Sequence, residues 1–319
     1  MNYEIKIGDS LEVLKTMDDQ SVNCCVTSPP YWGLRSYDMN DQLGQEETPE
    51  EFVENLVNVM REVKRVLKDD GTLWLNLGDS YVGSGAKGKH KDPKNPKGRN
   101  GQSDKANNNK VAGLKPKDMV GIPWRVAFAL QADGWWLRSD IIWHKPNAMP
   151  IPVKDRPTSC HEHIFLLSKS KNYYYDKDAI LEPLVYPNRI DGKNNSGFGG
   201  NKHAGNRDKT LNNAYSGNKY DATKHKGKNK RDVWTVATNG YKGAHFAVYP
   251  PKLIEPCILA GCPDGGVVLD PFSGSGTTGV VALNNNKNYI GIELNPEFAE
   301  LSHQRIKDQV PNTLVEHLK

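Results

Sequence analysis

An α/β fold with a doubly wound, mostly parallel sheet is the architecture this sequence predicts, and three observations predict it. Short apolar runs alternate with segments of helical periodicity along most of the chain. Residues Thr48-Pro49-Glu50-Glu51 combine an N-cap, a first-turn proline and a capping-box glutamate ahead of a long amphipathic stretch. Near the other end, "VVLDPFSGSGTTGVVAL" sends an apolar run through a glycine-spaced turn into a helix.

The elements follow in order. Tyr3 to Ile7 reads as a strand, Ser10 to Met17 as a short helix and Val22 to Val26 as a second strand. The capped helix is expected over Pro49 to Leu67, ended by Asp69, Asp70 and Gly71, after which "GTLWLNL" resumes a strand. Residues 83–117 are rich in Gly, Lys, Asn and Pro, with too few apolar side chains to offset the entropy of ordering, and read as a loop. A helix is expected near Asp118 to Ala132. Strands are expected over Trp135 to Trp143 and His161 to Ser168, paired antiparallel at a sheet edge. A second polar stretch fills 187–230. The pattern resumes with a helix at about Pro250 to Ala260, a strand Val267 to Asp270, a helix through Val281, a strand Asn288 to Ile292 and a helix Pro296 to Lys307.

The chain has 319 residues and a formal net charge of +4, with lysine concentrated in the two polar stretches, a distribution that favours a polyanionic partner. Five cysteines without a CxxC pair argue against a disulfide framework or a zinc ribbon. Cys160, His161 and His163 lack a fourth ligand, so no metal is expected. No apolar segment approaches the roughly 18 residues of a membrane span, and the first residues lack a signal-peptide core. A soluble, intracellular protein is the expectation.

Gly274-x-Gly276-x-x-Gly279 between strand and helix is the context in which backbone wraps closely around a ligand. Glu293 ends the next strand, 23 residues after Asp270, where a carboxylate can accept hydrogen bonds from two ribose hydroxyls. A glycine turn with a surface glutamate is the plain alternative. Among nucleoside ligands, a dinucleotide brings a pyrophosphate that disfavours a neighbouring carboxylate. S-adenosylmethionine brings an ammonium and a sulfonium that Asp270 would attract.

The stretch "TSPPYWGLR", Thr27 to Arg35, leaves the second strand through a serine, two prolines and two aromatics. An exocyclic base amine is a poor nucleophile, because its lone pair is delocalised into the ring. Acceptors at Ser28 and at a backbone carbonyl near Pro29 would localise that pair, and Pro29-Pro30 would hold the carbonyls stiffly. Tyr31 would stack on a base flipped out of a duplex. Alone, "SPPY" reads equally as a Pro-Pro turn with exposed aromatics; the two motifs in one chain decide the reading.

Together these residues resemble the DNA amino-methyltransferases that modify cytosine N4 or adenine N6. Ser28-Pro29-Pro30-Tyr31 is similar to the family's catalytic tetrapeptide, and Asp270 to Thr278 to its cofactor motif. The catalytic motif comes first, as in the family's β group. That implies a circularly permuted Rossmann-like methyltransferase fold with S-adenosylmethionine as cofactor. "HFAVYPPKLIE", "GDSLEVL" and "WHKPNAMP" resemble further family segments. The resemblance implies cofactor contacts at Asp9, His245, Phe246, Asp270, Phe272, Gly274, Ser275, Gly276, Thr277, Glu293 and Asn295. Trp32, Arg35, Lys145, Asn147 and Arg156 are candidates for contact with the flipped base or DNA, against a plain reading as solvated surface.

Residues 1–186 then form the catalytic half, 187–231 a target-recognition insertion and 232–319 the cofactor half of one domain. In this family a leading serine favours cytosine N4, with adenine N6 as the rival. Methylation at cytosine C5 needs a cysteine nucleophile, and neither Cys24 nor Cys25 stands in the clamp. A silent DNA-binding module and a methyltransferase for a non-DNA amine are the other readings. Double-stranded DNA is the expected partner, a cognate restriction endonuclease a candidate one, and the protein a monomer or homodimer.

Overall fold

The structure, a computed structural model, describes residues 1–33, 42–83, 113–184, 226–238 and 248–311. It divides into two compact units, Met1–Asp176 with Arg231–Lys319, and Lys177–Lys230. In the smaller unit the described residues include a 3-10 turn at Asp178–Ile180 and an antiparallel bridge between Glu182 and Lys228.

The larger unit is built on strands β1 (Tyr3–Ile7), β2 (Val22–Thr27), β3 (Leu67–Leu77), β4 (Trp136–His144), β5 (His161–Ser168), β6 (Val233–Thr235), β7 (Val267–Asp270) and β8 (Asn288–Glu293). They form one sheet in the order β1-β8-β7-β2-β3-β5-β4-β6. Only β5 runs against its neighbours. The antiparallel pairing of β4 with β5 is as expected, but β5 lies between β3 and β4, and the edge belongs to β6. A strand of three residues carries no readable periodicity, which is why sequence patterning missed it.

Helices α1 (Ser10–Lys15), α2 (Pro49–Val66) and α3 (Ile122–Ala132) pack together along one face, and α4 (Pro251–Gly261), α5 (Thr277–Asn284) and α6 (Pro296–Gln309) along the other. β2 is buried along its whole length, as a central strand covered on both faces must be. α2 shows the clearest sequence logic. Thr48 accepts from the Glu51 amide and Glu51 reaches back to the Thr48 amide, while Phe52, Leu56, Val59, Met60, Val63 and Val66 form the buried stripe. Each such side chain stabilises by about 1.5–3 kcal/mol.

Two expectations about boundaries are corrected. Asp69-Asp70-Gly71 does not separate helix from strand. β3 begins at Leu67, paired with Val22, and the next pair is Cys24 with Thr72, so five residues of β3 face two of β2 and the acidic residues bulge out. α3 begins at Ile122 rather than near Asp118, because Met119 bridges back to Tyr81 and Gly121 takes φ +79° at the N-cap. Asp79 supplies the missing cap. Its carboxylate accepts from the Gly121, Ile122 and Ser80 amides at 2.8–3.0 Å, and burial nevertheless holds its pKa above the usual aspartate value.

The sheet order positions the site. From β7 the chain moves outward through α5 to β8, and from β2 it moves the opposite way through α2 to β3, so the switch point lies between β7 and β2. Their register, Cys24 with Val268 and Cys25 with Leu269, sets the carboxyl ends of the two strands side by side. Ligands of open α/β sheets bind at such a crevice. The two motifs, far apart in sequence, therefore leave the sheet at one place.

Candidate active site

Asp270 ends β7 and is 1% exposed. Its Oδ1 accepts from the Thr27 hydroxyl at 2.7 Å and the Phe272 amide at 3.1 Å; its Oδ2 accepts from Thr278 at 2.5 Å and Tyr249 at 3.1 Å. Four donors satisfy a carboxylate's acceptor sites. Burial still pushes its pKa above the ordinary aspartate value, with the four hydrogen bonds pulling the other way. Asp270 thus ties β2, β7, α5 and the Tyr249 segment into one wall.

After Asp270 the backbone turns through Gly274 (φ +52°) and Gly276 (φ +75°), the N-cap of α5. A Cβ at Gly276 would stand 2.1 Å from Ser302 Oγ, so only glycine lets α5 start this close to α6. Arg305 of α6 clamps the same turn, donating from Nη1 to Ser275 Oγ at 2.9 Å and Thr277 Oγ1 at 2.7 Å. Sequence reasoning passed over Arg305. The available signal was its place on the buried stripe of Ala299, Ser302 and Ile306, where a guanidinium requires partners.

Glu293 ends β8 and accepts from the Gly274 amide at 2.8 Å and the Asn295 amide at 2.9 Å. Burial raises its pKa above the usual glutamate value. Asn295 caps α6 through the Glu297 amide, and Asp9 caps α1 through the Glu12 amide. Ser10, another residue the sequence did not single out, donates to the Pro271 carbonyl at 2.5 Å.

These groups surround a cleft of about 900 Å³, partly open to solvent. Of the residues expected from sequence, Asp9, Ser28, Pro30, Asp270, Phe272, Gly274, Ser275, Thr277, Glu293 and Asn295 line it together. Gly276 lies behind the wall as a packing residue. His245 and Phe246 lie outside the described residues. Three acidic residues, Asp9, Asp270 and Glu293, line the cleft, Asp270 with its oxygens turned into the wall, and among the described residues no Lys, Arg or His lines it. That lining repels a pyrophosphate and suits a nucleoside bearing positive charge, with Ile292, Leu294 and Phe298 for its apolar parts.

The clamp rises from the end of β2 at the same cleft. Ser28 and Pro30 face it, and Pro29 is buried. Ser28 Oγ donates to the Tyr31 hydroxyl at 3.4 Å, and Tyr31 donates to Glu162 Oε2 at 2.8 Å. The Tyr31 ring lies against Gly78, where a Cβ would come within 2.6 Å of it. Trp32, expected toward DNA, is instead 5% exposed, packed in the core with Nε1 donating to the Glu46 carbonyl at 3.1 Å. The apolar core outcompetes solvent for so large a ring. Arg35 lies outside the described residues.

Lys145 forms an ion pair with Glu162 and sits 4.3 Å over the Trp143 ring. Asn147 is used internally, accepting from the Thr238 amide at 2.9 Å and donating to the Thr238 carbonyl at 2.8 Å, which fastens the turn after β4 to the chain after β6. Arg156 stacks on Tyr81 at 3.7 Å. Of these three, Lys145 reaches the clamp through Glu162, while Asn147 and Arg156 brace the flanking loop. His163 is buried beside Asp140, 2.9 Å away, and among the described residues no group of three His, Cys, Asp or Glu is placed to hold a metal.

A permuted α/β sheet whose switch-point cleft suits a cationic nucleoside, and whose neighbouring strand ends in Ser-Pro-Pro-Tyr, defines the class as the DNA amino-methyltransferases. The family model described as DNA methylase, covering N6 and N4 methyltransferases, matches residues 22–304, and the chain belongs to this family. It is 45% identical over 307 residues to the type II methyltransferase M.Cfr9I of Citrobacter freundii, covering 96% of this chain and 88% of the relative. With the type II methyltransferase M.SmaI of Serratia marcescens it shares 46% over 303 residues, covering 95% and 90%.

Solved structures agree in fold. The cytosine-N4-specific PvuII DNA methyltransferase matches with a TM-score of 0.62 at 19% identity, covering 97% of this chain and 91% of that one. A putative DNA modification methylase of Thermus thermophilus, complexed with S-adenosyl-L-methionine, matches with a TM-score of 0.58 at 23% identity, covering 100% of both chains.

Proposed function

We propose that this DNA methyltransferase transfers a methyl group from S-adenosyl-L-methionine to the exocyclic N4 amine of a cytosine flipped out of double-stranded DNA. The observation that carries the reading is the position of Ser28. Its hydroxyl stands on the wall of the acidic cleft and gives its own hydrogen to Tyr31, which leaves its oxygen an acceptor toward the cleft. The serine at the head of the clamp favours cytosine, as does the cytosine-N4 specificity of the PvuII enzyme, a fold relative.

When bound, the cofactor supplies a methyl group made electrophilic by its sulfonium. The chain's part is to hold the two reactants. Glu293, Asn295, Phe272 and Phe298, which line the cleft, would hold the nucleoside, and the acidic lining would offset the positive charge. On the base side, Ser28 Oγ and the carbonyl of the stiff Pro29-Pro30 pair accept the two amine hydrogens. The nitrogen lone pair is thereby localised and turned toward the cleft. Tyr31 presents a ring to the flipped base. The insertion at 187–231 reads the target sequence, and a restriction endonuclease of the same specificity is the expected companion of the type II relatives' pattern.

The test is direct. Protein incubated with tritiated cofactor and unmethylated genomic DNA is digested to nucleosides, and the labelled species is identified by mass. N4-methylcytosine supports the reading, N6-methyladenine moves the assignment to adenine, and absence of label removes it. Ser28→Ala is expected to slow transfer by about 100-fold or more, the scale of one lost hydrogen bond at a reacting centre, with cofactor affinity unchanged by calorimetry.

A further inference from the structure

We propose that Glu162 is a positioning residue for methyl transfer, which fixes the direction of a hydrogen-bond chain running from Ser28 through Tyr31. The inference rests on the reading of Ser28 as the amine's acceptor and concerns a residue that the sequence did not mark. Glu162 lies on β5, opposite Trp143 of β4, and its side chain is only 16% exposed. A largely buried carboxylate needs partners, and it has three. Tyr31 donates to Oε2 at 2.8 Å, Asn76 Nδ2 donates to the same oxygen at 3.2 Å, and Lys145 pairs with Oε1. Lys145 is itself held over Trp143 and 19% exposed, so the pair is built into the protein behind Tyr31 rather than a surface contact.

The chemistry lies in the direction of the hydrogens. An ionised carboxylate only accepts, and the other oxygen of Glu162, Oε1, is paired with Lys145. Tyr31 has two acceptors in reach, Glu162 Oε2 at 2.8 Å and Asn76 Oδ1 at 3.3 Å, and the shorter contact commits its single hydrogen to Glu162. The Tyr31 oxygen is left to accept the Ser28 hydrogen across 3.4 Å. Ser28 Oγ then presents lone pairs, and no hydrogen, to the cleft. With an amide in place of the carboxylate, Tyr31 can turn its hydrogen to Ser28. The Ser28 hydrogen then swings toward the incoming amine, and donor meets donor. Glu162 acts through Tyr31 and Ser28 and touches no reacting atom.

A double-mutant cycle tests this. Single-turnover methyl transfer to unmethylated genomic DNA at saturating cofactor is measured for wild type, Glu162→Gln, Tyr31→Phe and the double variant, with cofactor affinity by calorimetry and the thermal midpoint as checks on the fold. Glu162→Gln is expected to slow transfer roughly 10- to 100-fold, the scale of a hydrogen bond to a charged group, while cofactor affinity holds. In the Tyr31→Phe background the same substitution is expected to change the rate less than about twofold, because the hydroxyl it acts through is gone.

Equal slowing in both backgrounds, or no slowing in wild type, overturns the proposal. If Glu162→Gln fails to fold, Glu162→Asp, which keeps the charge but shortens the reach, goes through the same cycle with the same reading. The labelled nucleoside is identified in each run. A wild type that labels no base amine overturns the reading of Ser28 and this role with it, whereas a labelled amine with an uncoupled cycle overturns the role alone.

Discussion

Glu293 shows how one side chain serves both folding and ligand. Two backbone amides hold it at the end of β8, and burial lifts its pKa above the ordinary glutamate value. A carboxyl whose folded pKa is raised adds stability that is fully present below its unfolded value of about 4.3 and is lost as pH rises through the raised folded value. Urea unfolding of wild type and Glu293→Gln across pH 4 to 8 is therefore expected to show wild type losing ground relative to the variant as pH rises. A constant difference would exclude the effect. At Gly276 the cost is steric. Gly276→Ala puts a Cβ against Ser302 at φ +75°, and overpacking plus backbone strain is expected to cost about 2–4 kcal/mol in urea unfolding. The placement of Gly276 in the turn after β7 and of Glu293 at the end of β8 was legible from the local pattern. The partners of Lys145, Asn147 and Trp32 were not, because a single charged or aromatic residue reads the same whether its neighbour is solvent or a distant strand.

Elements with strong local signals matched their sequence, and α2 is the best case. Its cap, first-turn proline and apolar stripe are all short-range, so its limits were legible almost to the residue. Thr48→Ala is expected to cost about 1 kcal/mol by thermal or urea unfolding, the usual worth of an N-cap, without affecting cofactor affinity. α6 carries a longer-range duty. Through Arg305 it fixes Ser275 and Thr277 of the glycine turn. Arg305→Met is expected to weaken cofactor binding about tenfold or more in calorimetry, the effect of removing a charged hydrogen-bond donor from a ligand-bearing turn. Unchanged affinity would make Arg305 a packing residue only. Where the local signal was poor, reading failed. β6 is too short to show a period, and the acidic run at Asp69 reads as a helix stop although pairing with β2 makes it a bulge.

At the scale of the molecule, the sheet joins chain segments far apart. β1 pairs with β8, and β2 lies between β7 and β3, so the clamp and the glycine turn share one crevice although about 240 residues separate them, Thr27 meeting Asp270. The same scale governs DNA affinity. The lysines of residues 187–231 include Lys202, Lys209 and Lys219, which lie outside the described residues. On the proposal that 187–231 recognises the target, they are expected to neutralise phosphates. Replacing them with Gln should flatten the slope of log affinity against log salt by about 0.9 per phosphate contact, and leave the methylated base unchanged. An unaltered slope would place DNA binding elsewhere. The alternation of strand and helix, the permuted motif order and the family are all legible in the chain read alone, because each is written in local periodicity and contiguous motifs. The tertiary structure alone decided that β5 sits inside the sheet, that Asp270 spends its acceptors on the protein wall, that Trp32 is core, and that Glu162 stands behind Tyr31. Those facts depend on pairing and burial between segments remote in the chain, and no local pattern encodes which distant side chain completes a hydrogen bond.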